Sequence, residues 1–185
     1  MCFYISAILP RETKIKDIQP IIEKYKMGFS FIDNKSIMGQ IKQGELHVRA
    51  TRNYCDCDSV LGSNSTGTRK KLLMESKKVK KLKQNGWSAE QIDEWLEDKI
   101  KKTKQTKGKK WWPELQRKLA NEWIQFLNEL INSVSKIGLF KHWYEDNLED
   151  ETITIRETKR VNLNQDIYDT LLKMDEDIVY EFYRN

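Results

Sequence analysis

The sequence contains no long hydrophobic run. The most apolar segment near the start covers residues 2–9, ends at Pro10 and Arg11, and has no basic segment before it. A transmembrane helix needs about 20 apolar residues, and a secretory signal needs a basic start before its apolar stretch. We therefore expect no membrane span and no export, and we expect a cytoplasmic protein.

Cysteine is scarce, and recognisable catalytic motifs are absent. The 185 residues include three cysteines. An odd, small number of cysteines without an export signal indicates reduced thiols rather than a disulfide framework. The sequence also lacks a nucleotide-binding or hydrolase motif. The remaining guides to function are the predicted fold, the positions of the cysteines and the distribution of charge.

The positive charge is concentrated in one segment. The chain has 33 basic and 28 acidic residues and a formal net charge of +5. Between Arg69 and Trp112 there are 15 Lys or Arg and 6 Asp or Glu, a local balance of +9, so the rest of the chain carries −4. This contrast predicts an inserted module with its own surface chemistry.

Hydrophobic periodicity predicts alternating helices and strands. Residues 2–9 alternate in a strand-like manner, whereas Leu115, Leu119, Trp123 and their successors follow helical spacing. Pro20 should kink the first helix or delay its start, and Gly138 should end the last long helix. A basic linker is expected at 101–110. The strands are predicted at 2–9, 29–32, 45–52, 139–144, 152–161 and 178–183, and the helices at 15–25, 69–83, 88–100, 113–136 and 166–173.

The order of these elements predicts an α+β fold with an antiparallel or mixed sheet. Without the basic segment, the order of strand, helix, strand, strand, helix, strand is that of a ferredoxin-like split βαβ core. The first strand then lies between the third and fourth, antiparallel to both. Another α+β topology is the alternative. The predicted division is 1–65 and 113–185 for the two halves of the core, and 66–112 for a basic helical insertion.

The predicted topology brings the cysteines to one end of the sheet. Cys2 begins the first strand, and Cys55 and Cys57 follow the third. His142 lies near the end of the fourth strand. Three thiols and an imidazole are the ligand set of a structural zinc site, so these four residues are predicted metal ligands. The alternative is that Cys2 is a small buried apolar residue and the other two are free thiols in a surface loop.

A thiol- or metal-dependent enzyme centred on the cysteines is a competing hypothesis. Removal of Met1 would give Cys2 a free α-amine beside its thiol, an arrangement used by N-terminal nucleophiles. Cys55 with His142 would form a thiol–imidazole pair. The sequence offers no glycine-rich oxyanion turn beside Cys2 and no residue to orient the imidazole, so we favour a non-enzymatic binding or regulatory protein.

The basic segment predicts a partner of negative charge, either nucleic acid or an acidic protein. Clustered lysines neutralise phosphates and release counterions without reading sequence, and flanking tryptophans can stack on bases. The alternative is a solvated lysine-rich face whose tryptophans pack the helices together. The predicted nucleic-acid-binding residues are Lys77, Lys78, Lys80, Lys81, Lys83, Lys101, Lys102, Lys104 and Trp111.

Overall fold

A computed structural model describes residues 2–52, 54–57, 59–62, 73–74, 76–106 and 111–185, without the side chains of 100–106 and 111–113. The described strands form one six-stranded sheet. They are β1 (Cys2–Leu9), β2 (Gly28–Phe31), β3 (Leu46–Thr51), β4 (Lys136–Tyr144), β5 (Glu157–Asn162) and β6 (Ile178–Tyr183). The described helices are α1 (Ile15–Lys24), α2 (Lys35–Met38), α3 (Lys77–Gln84), α4 (Ala89–Thr106), α5 (Trp111–Leu130) and α6 (Tyr168–Leu172).

The strand order of the sheet is β2-β3-β1-β4-β6-β5. Strand β1 lies between β3 and β4 and is antiparallel to both, as the sequence predicts. The register places Ser6 opposite Arg49 of β3 and opposite Phe140 of β4. The outer pair, β5 and β6, is parallel, so the sheet is mixed. The predicted α+β class is therefore confirmed.

Both faces of the sheet are covered. Alternate residues of the central strands, including Ile5, Val48 and Leu139, contribute to the main core together with apolar residues of α1 and α5. On the other face, Ile8 and Phe140 form a smaller cluster with α2 and with the chain before β5. The residues of α1 and α5 in the main core are Ile18, Ile22, Ala120, Trp123, Phe126, Leu127 and Leu130.

The segment before β5 does not form the strand that the sequence predicts at 152–156. Its backbone instead bonds to polar side chains of the α2 region. The N–H of Ile153 donates to Ser36 Oγ at 2.9 Å, and the N–H of Ile155 donates to Gln40 Oε1 at 2.8 Å. Because these side chains take the place of a neighbouring strand, the extended segment covers the second face without joining the sheet.

Two predicted helix limits are wrong. Helix α5 ends at Leu130 rather than residue 136, because the following Asn and Ser residues favour turns over helix. Gly138, the predicted helix stop, lies within β4 opposite Ile8. A Cβ there would come within 2.9 Å of Val179 Cγ1, so the glycine allows two strands' side chains to pack closely.

The predicted linker at 101–110 is also wrong in its first part. Helix α4 continues to Thr106 because residues 101–106 contain no proline or glycine to end it. Residues 107–110 lie outside the described part. Helix α1 begins at Ile15 although it contains Pro20, so the proline does not delay its start.

The chain divides into two compact units, Met1–Asn64 with Lys118–Asn185, and Ser65–Arg117. The described part of the second unit has its own small cluster of Val79, Ile92 and Leu96, with Trp95 packed against it. The predicted insertion, 66–112, falls within this unit. No helix in the described ranges has both the length and the apolarity needed to cross a membrane.

Candidate thiol site

Three cysteine side chains meet at one end of the sheet. Cys2 begins β1, whereas Cys55 and Cys57 lie in the loop that follows β3. Their sulfur atoms all lie within 4.8 Å of one another. All three are free thiols and half-buried. The convergence of the thiols, which the sequence predicts from strand order alone, is present in the fold.

The loop reaches Cys2 because β3 is too short to pair with the whole of β1. The two strands are in register only from Ser6 to Leu9 of β1. Beyond that point the backbone groups of Phe3 and Ile5 still need partners on this side of β1. The loop that carries Cys55 and Cys57 supplies them, and we call its described residues, 52, 54–57 and 59–62, the thiol loop.

Asp56 provides most of the bonds between the thiol loop and β1. Its backbone N–H donates to Phe3 O at 2.8 Å, and its Oδ2 accepts the N–H of Ile5 at 2.8 Å. The N–H of Phe3 donates to Cys57 Sγ at 3.3 Å. Two side chains and one backbone N–H of the loop therefore take the place of a longer β3. This arrangement holds the two loop cysteines against the start of β1.

The carboxyl group of Asp56 is buried, with 2% of the residue exposed. Burial raises its pKa to about 7, although the Ile5 N–H, Arg49 and the Ser59 hydroxyl each oppose the rise. An uncompensated carboxylate is costly away from water, and here its partners offset only part of that cost. Asp56 thus changes its charge near neutral pH, beside the thiols.

Close packing at Gly62 shapes the other end of the thiol loop. A Cβ at Gly62 would lie 1.9 Å from Asp56 O, so a side chain cannot be accommodated without moving the loop. The N–H of Gly62 donates to Ser59 Oγ at 3.1 Å. Val60 and Leu61 are buried in the main core and anchor the loop from below. The loop is therefore a packed element, fixed by both apolar and polar contacts.

The surroundings of Cys57 strongly favour its protonated thiol over the free thiolate. Burial, together with the neighbouring Cys55 and Cys2, raises its pKa to about 12, and the N–H of Phe3 opposes this rise. Three uncompensated thiolates at this spacing would repel one another. A bound cation would remove that repulsion, since metal binding deprotonates coordinating thiols.

An arginine and two tyrosines lie beside the thiols. The Arg49 guanidinium stands 4.9 Å from the centre of the Tyr4 ring and donates a hydrogen bond to Tyr54 O. Burial raises the pKa of Tyr4, with Cys2 and Cys55 adding to the rise and Arg49 opposing it. Tyr4 therefore lies within electrostatic reach of both the thiols and the guanidinium.

The structure does not place His142, the predicted fourth ligand, with the thiols. In the described part of the chain, the metal-ligand cluster consists of the three cysteines alone. His142 Nδ1 lies 2.5 Å from Asp177 Oδ1, and Nε2 lies 3.4 Å from Glu151 Oε1. Each ring nitrogen of His142 thus has a carboxylate oxygen as its neighbour. The described cluster thus contains three of the four predicted ligands, and strand position alone does not reveal which side chains flank the ring of the fourth.

Sequence reasoning missed two buried charged residues, Asp56 and Lys141. Lys141 is 1% exposed, and its Nζ donates to the carbonyl oxygens of Met174 and Leu61, the second at 3.4 Å. Burial lowers the pKa of Lys141, opposed by Glu176 and Asp175. The signal was present in the alternation of β4, where Lys141 occupies a core-facing position. For Asp56, no comparable signal exists in the loop sequence.

The predicted nucleic-acid residues of α3 are on the surface of the second unit. All five lysines of this helix are exposed, while Val79 is buried. Two ammonium groups lie near the ring of Trp95 in α4, with Lys78 Nζ 5.5 Å and Lys99 Nζ 4.6 Å from its centre. The side chains of Lys101, Lys102, Lys104 and Trp111 lie outside the described part. The exposed lysines are Lys77, Lys78, Lys80, Lys81 and Lys83.

Comparison of the chain with protein-family models, curated proteins and solved structures found no match.

Proposed function

We propose that the protein binds a thiophilic metal ion through Cys2, Cys55 and Cys57. The observation that carries this proposal is the mutual distance of at most 4.8 Å between their sulfur atoms. Thiolates bind zinc at about 2.3 Å, which places sulfurs of a tetrahedral site roughly 3.8 Å apart. Small side-chain rotations would therefore close the three sulfurs on one ion. Zinc and other soft ions suit such ligands.

The bound ion would act as a structural link. It would join the first residue of β1 to the thiol loop, two segments separated by more than 50 residues of sequence. A ligand that binds the folded state alone stabilises it by mass action, so metal binding would strengthen this end of the sheet. Such a role requires reduced thiols, which the cytoplasm maintains.

Metal analysis of protein purified without a histidine tag tests the proposal. We expect one equivalent of metal, three thiols protected from a thiol reagent, and loss of protection after chelation. Cys55→Ser should abolish metal retention and lower the thermal midpoint. Tyr54→Ser is the matched control, since Tyr54 neighbours Cys55 and is 83% exposed. Three fully reactive thiols after zinc and copper(I) addition would refute the proposal.

We infer that β1, α1, β2, β3, α5 and β4 form a ferredoxin-like split βαβ unit, extended by β6 and β5. The inference rests on the strand order β2-β3-β1-β4 and on antiparallel pairing throughout this part of the sheet. On this reading, the thiol site lies at one end of the unit's central strand, where it links β1 to the loop after β3.

We also propose that the second unit contacts nucleic acid. Support comes from five exposed lysines on one short helix and from the lysine-flanked ring of Trp95. Lysine contacts to phosphates give salt-sensitive affinity that does not depend on sequence. An acidic protein surface is the competing partner, and binding to RNA and DNA of several sequences distinguishes the two.

Charge reversal in α3 tests this second proposal. The double variant Lys80→Glu and Lys81→Glu should weaken binding to all nucleic-acid sequences alike and flatten its dependence on salt. The control carries the same charge change elsewhere, at the exposed Lys14 and Lys16 at the start of α1. An equal loss of binding in both double variants would refute the proposal that the second unit contacts nucleic acid.

A further inference from the structure

The thiol site brings together three donors. In the part of the chain that the structure describes, the metal-ligand cluster contains Cys2, Cys55 and Cys57 and no fourth Cys, His, Asp or Glu. His142 has a carboxylate at each ring nitrogen. The neighbouring Asp56 already uses Oδ2 to accept the N–H of Ile5. Among the described residues, the donor set is therefore purely sulfur and three in number.

The number and type of donors distinguish between thiophilic ions. A structural zinc site is closed by four protein ligands, whereas a zinc ion on three protein ligands keeps a water in the fourth position. Copper(I) is a softer ion that thiolate ligands select, and its three-coordinate thiolate complexes are complete without a further ligand. A half-buried cluster of three sulfurs matches three-coordinate copper(I) more closely than either kind of zinc site.

From this donor set we propose that the resident ion is copper(I), held by the three sulfurs in trigonal coordination. This inference rests on the proposed metal-binding function and specifies its ligand. The ion enters as Cu⁺, each coordinating thiol that was protonated releases its proton to solvent, and the oxidation state of copper does not change. Three Cu–S bonds form and up to three S–H bonds are lost.

The groups around the sulfurs suit an anionic complex. Three thiolates on a monovalent cation leave a net negative charge of two. The N–H of Phe3 donates to Cys57 Sγ at 3.3 Å, a contact that orients a metal ligand and stabilises its charge. The Arg49 guanidinium lies 4.9 Å from the Tyr4 ring centre and donates to the backbone oxygen of Tyr54, the residue before Cys55, so it adds positive charge near the thiols.

Parallel titrations of the reduced, full-length protein with copper(I) and with zinc test the inference under anaerobic conditions. We expect copper(I) to bind with a stoichiometry of one, to protect all three thiols, and to show three sulfur neighbours by X-ray absorption spectroscopy. Zinc should be lost on gel filtration. Cys57→Ser should weaken copper(I) binding by more than about tenfold, whereas Tyr54→Ser should leave it unchanged.

The outcomes separate this inference from the proposed function. Zinc that is retained on gel filtration with four neighbours, while copper(I) shows fewer than three sulfurs, would overturn the choice of ion and leave metal binding intact. Protein that retains neither ion would overturn both. Arg49→Met is a second variant that keeps all three thiols, and the proposed charge compensation predicts that it binds copper(I) more weakly. The thermal midpoint of the metal-free variant is measured alongside as a control for folding. Unchanged copper(I) affinity in Arg49→Met would refute that compensation.

Discussion

The two compact units of the chain differ in how they bury apolar side chains. The unit formed by Met1–Asn64 and Lys118–Asn185 contains a large core between the sheet and two helices. In the described part of Ser65–Arg117, three residues form the buried cluster, and the five lysines of α3 are exposed. The first unit can therefore hold side chains in precise positions, as the thiol loop requires. The second unit presents charge on a lightly packed helical scaffold.

The first prediction compares one core substitution in each unit. Phe126 is fully buried, and its ring contacts Tyr25, Phe29 and Trp123 edge-on at 5.6, 6.0 and 5.8 Å. Phe126→Ala should lower the free energy of unfolding by about 3–5 kcal/mol. Leu96→Ala should cost about 2–3 kcal/mol because its cluster is smaller and the site can relax.

Hydrogen exchange measured by region would check this comparison. Leu96→Ala should raise exchange in α3 and α4 and leave the β1 and β4 amides protected, whereas Phe126→Ala should raise exchange across the sheet. Equal deprotection of both regions by Leu96→Ala would show that the two units unfold as one.

The second prediction concerns the stability of the protein at acidic pH. Burial lowers the pKa of His47 to about 4 from an ordinary value of 6.5, with the Ile32 backbone opposing the shift. Because the folded state favours the neutral ring, the contribution of His47 to the free energy of unfolding is complete above pH 6.5 and is lost as the pH falls towards 4. The loss should reach about 3 kcal/mol.

His47 lies in the first unit, so acid should loosen that unit first. Denaturant unfolding of the protein at pH 7 and pH 4.5 measures the loss, and His47→Phe should remove much of the difference. A His47→Phe variant with the same decline as the natural sequence would assign the acid sensitivity to other groups.

The third prediction separates the two roles of Asp56. Asp56→Ala removes the acceptor for the Ile5 N–H and should cost about 1–3 kcal/mol. Asp56→Asn keeps an acceptor without the ionisable group. Since burial raises the pKa of Asp56 to about 7, its contribution to stability is full below pH 3.8 and is lost as the pH rises through 7.

Asp56→Asn should therefore be more stable than the natural protein at pH 8, and the advantage should diminish at pH 5. Thermal midpoints of the metal-free proteins at the two pH values provide the measurement. An Asn variant less stable than the natural protein at pH 8 would show that the carboxylate is better stabilised than its burial indicates. These variants have no counterpart in the second unit, because none of its described charged residues is buried.

Much of the fold follows from local pattern. Alternation in residues 2–9 and the wide apolar stripe of α5 predict a buried strand and its covering helix, and the order of elements predicts β1 between β3 and β4. The convergence of Cys2 with Cys55 and Cys57 follows from that order. These features depend on periodicity and chain connectivity, both of which are visible in a sequence.

Other features depend on which side chains meet across the fold. Gly138 packs between strands rather than ending a helix, since the nearest atoms belong to Val179 and Ile8. His142 turns to Asp177 and Glu151, which lie 35 and 9 residues away in sequence. Three-dimensional neighbours of this kind decide a residue's role, and periodicity carries no information about them.

The sequence by itself determined the elements, the central position of β1 and the meeting of three thiols, because hydrophobic period and strand order leave few alternatives. Only the tertiary structure decided that Asp56 replaces the missing end of β3 and that His142 lies between the carboxylates of Asp177 and Glu151. It also decided that, among the described residues, the metal-ligand cluster consists of the three thiols. These outcomes depend on competition among buried polar groups for hydrogen-bond partners, which is resolved when the packed core excludes water.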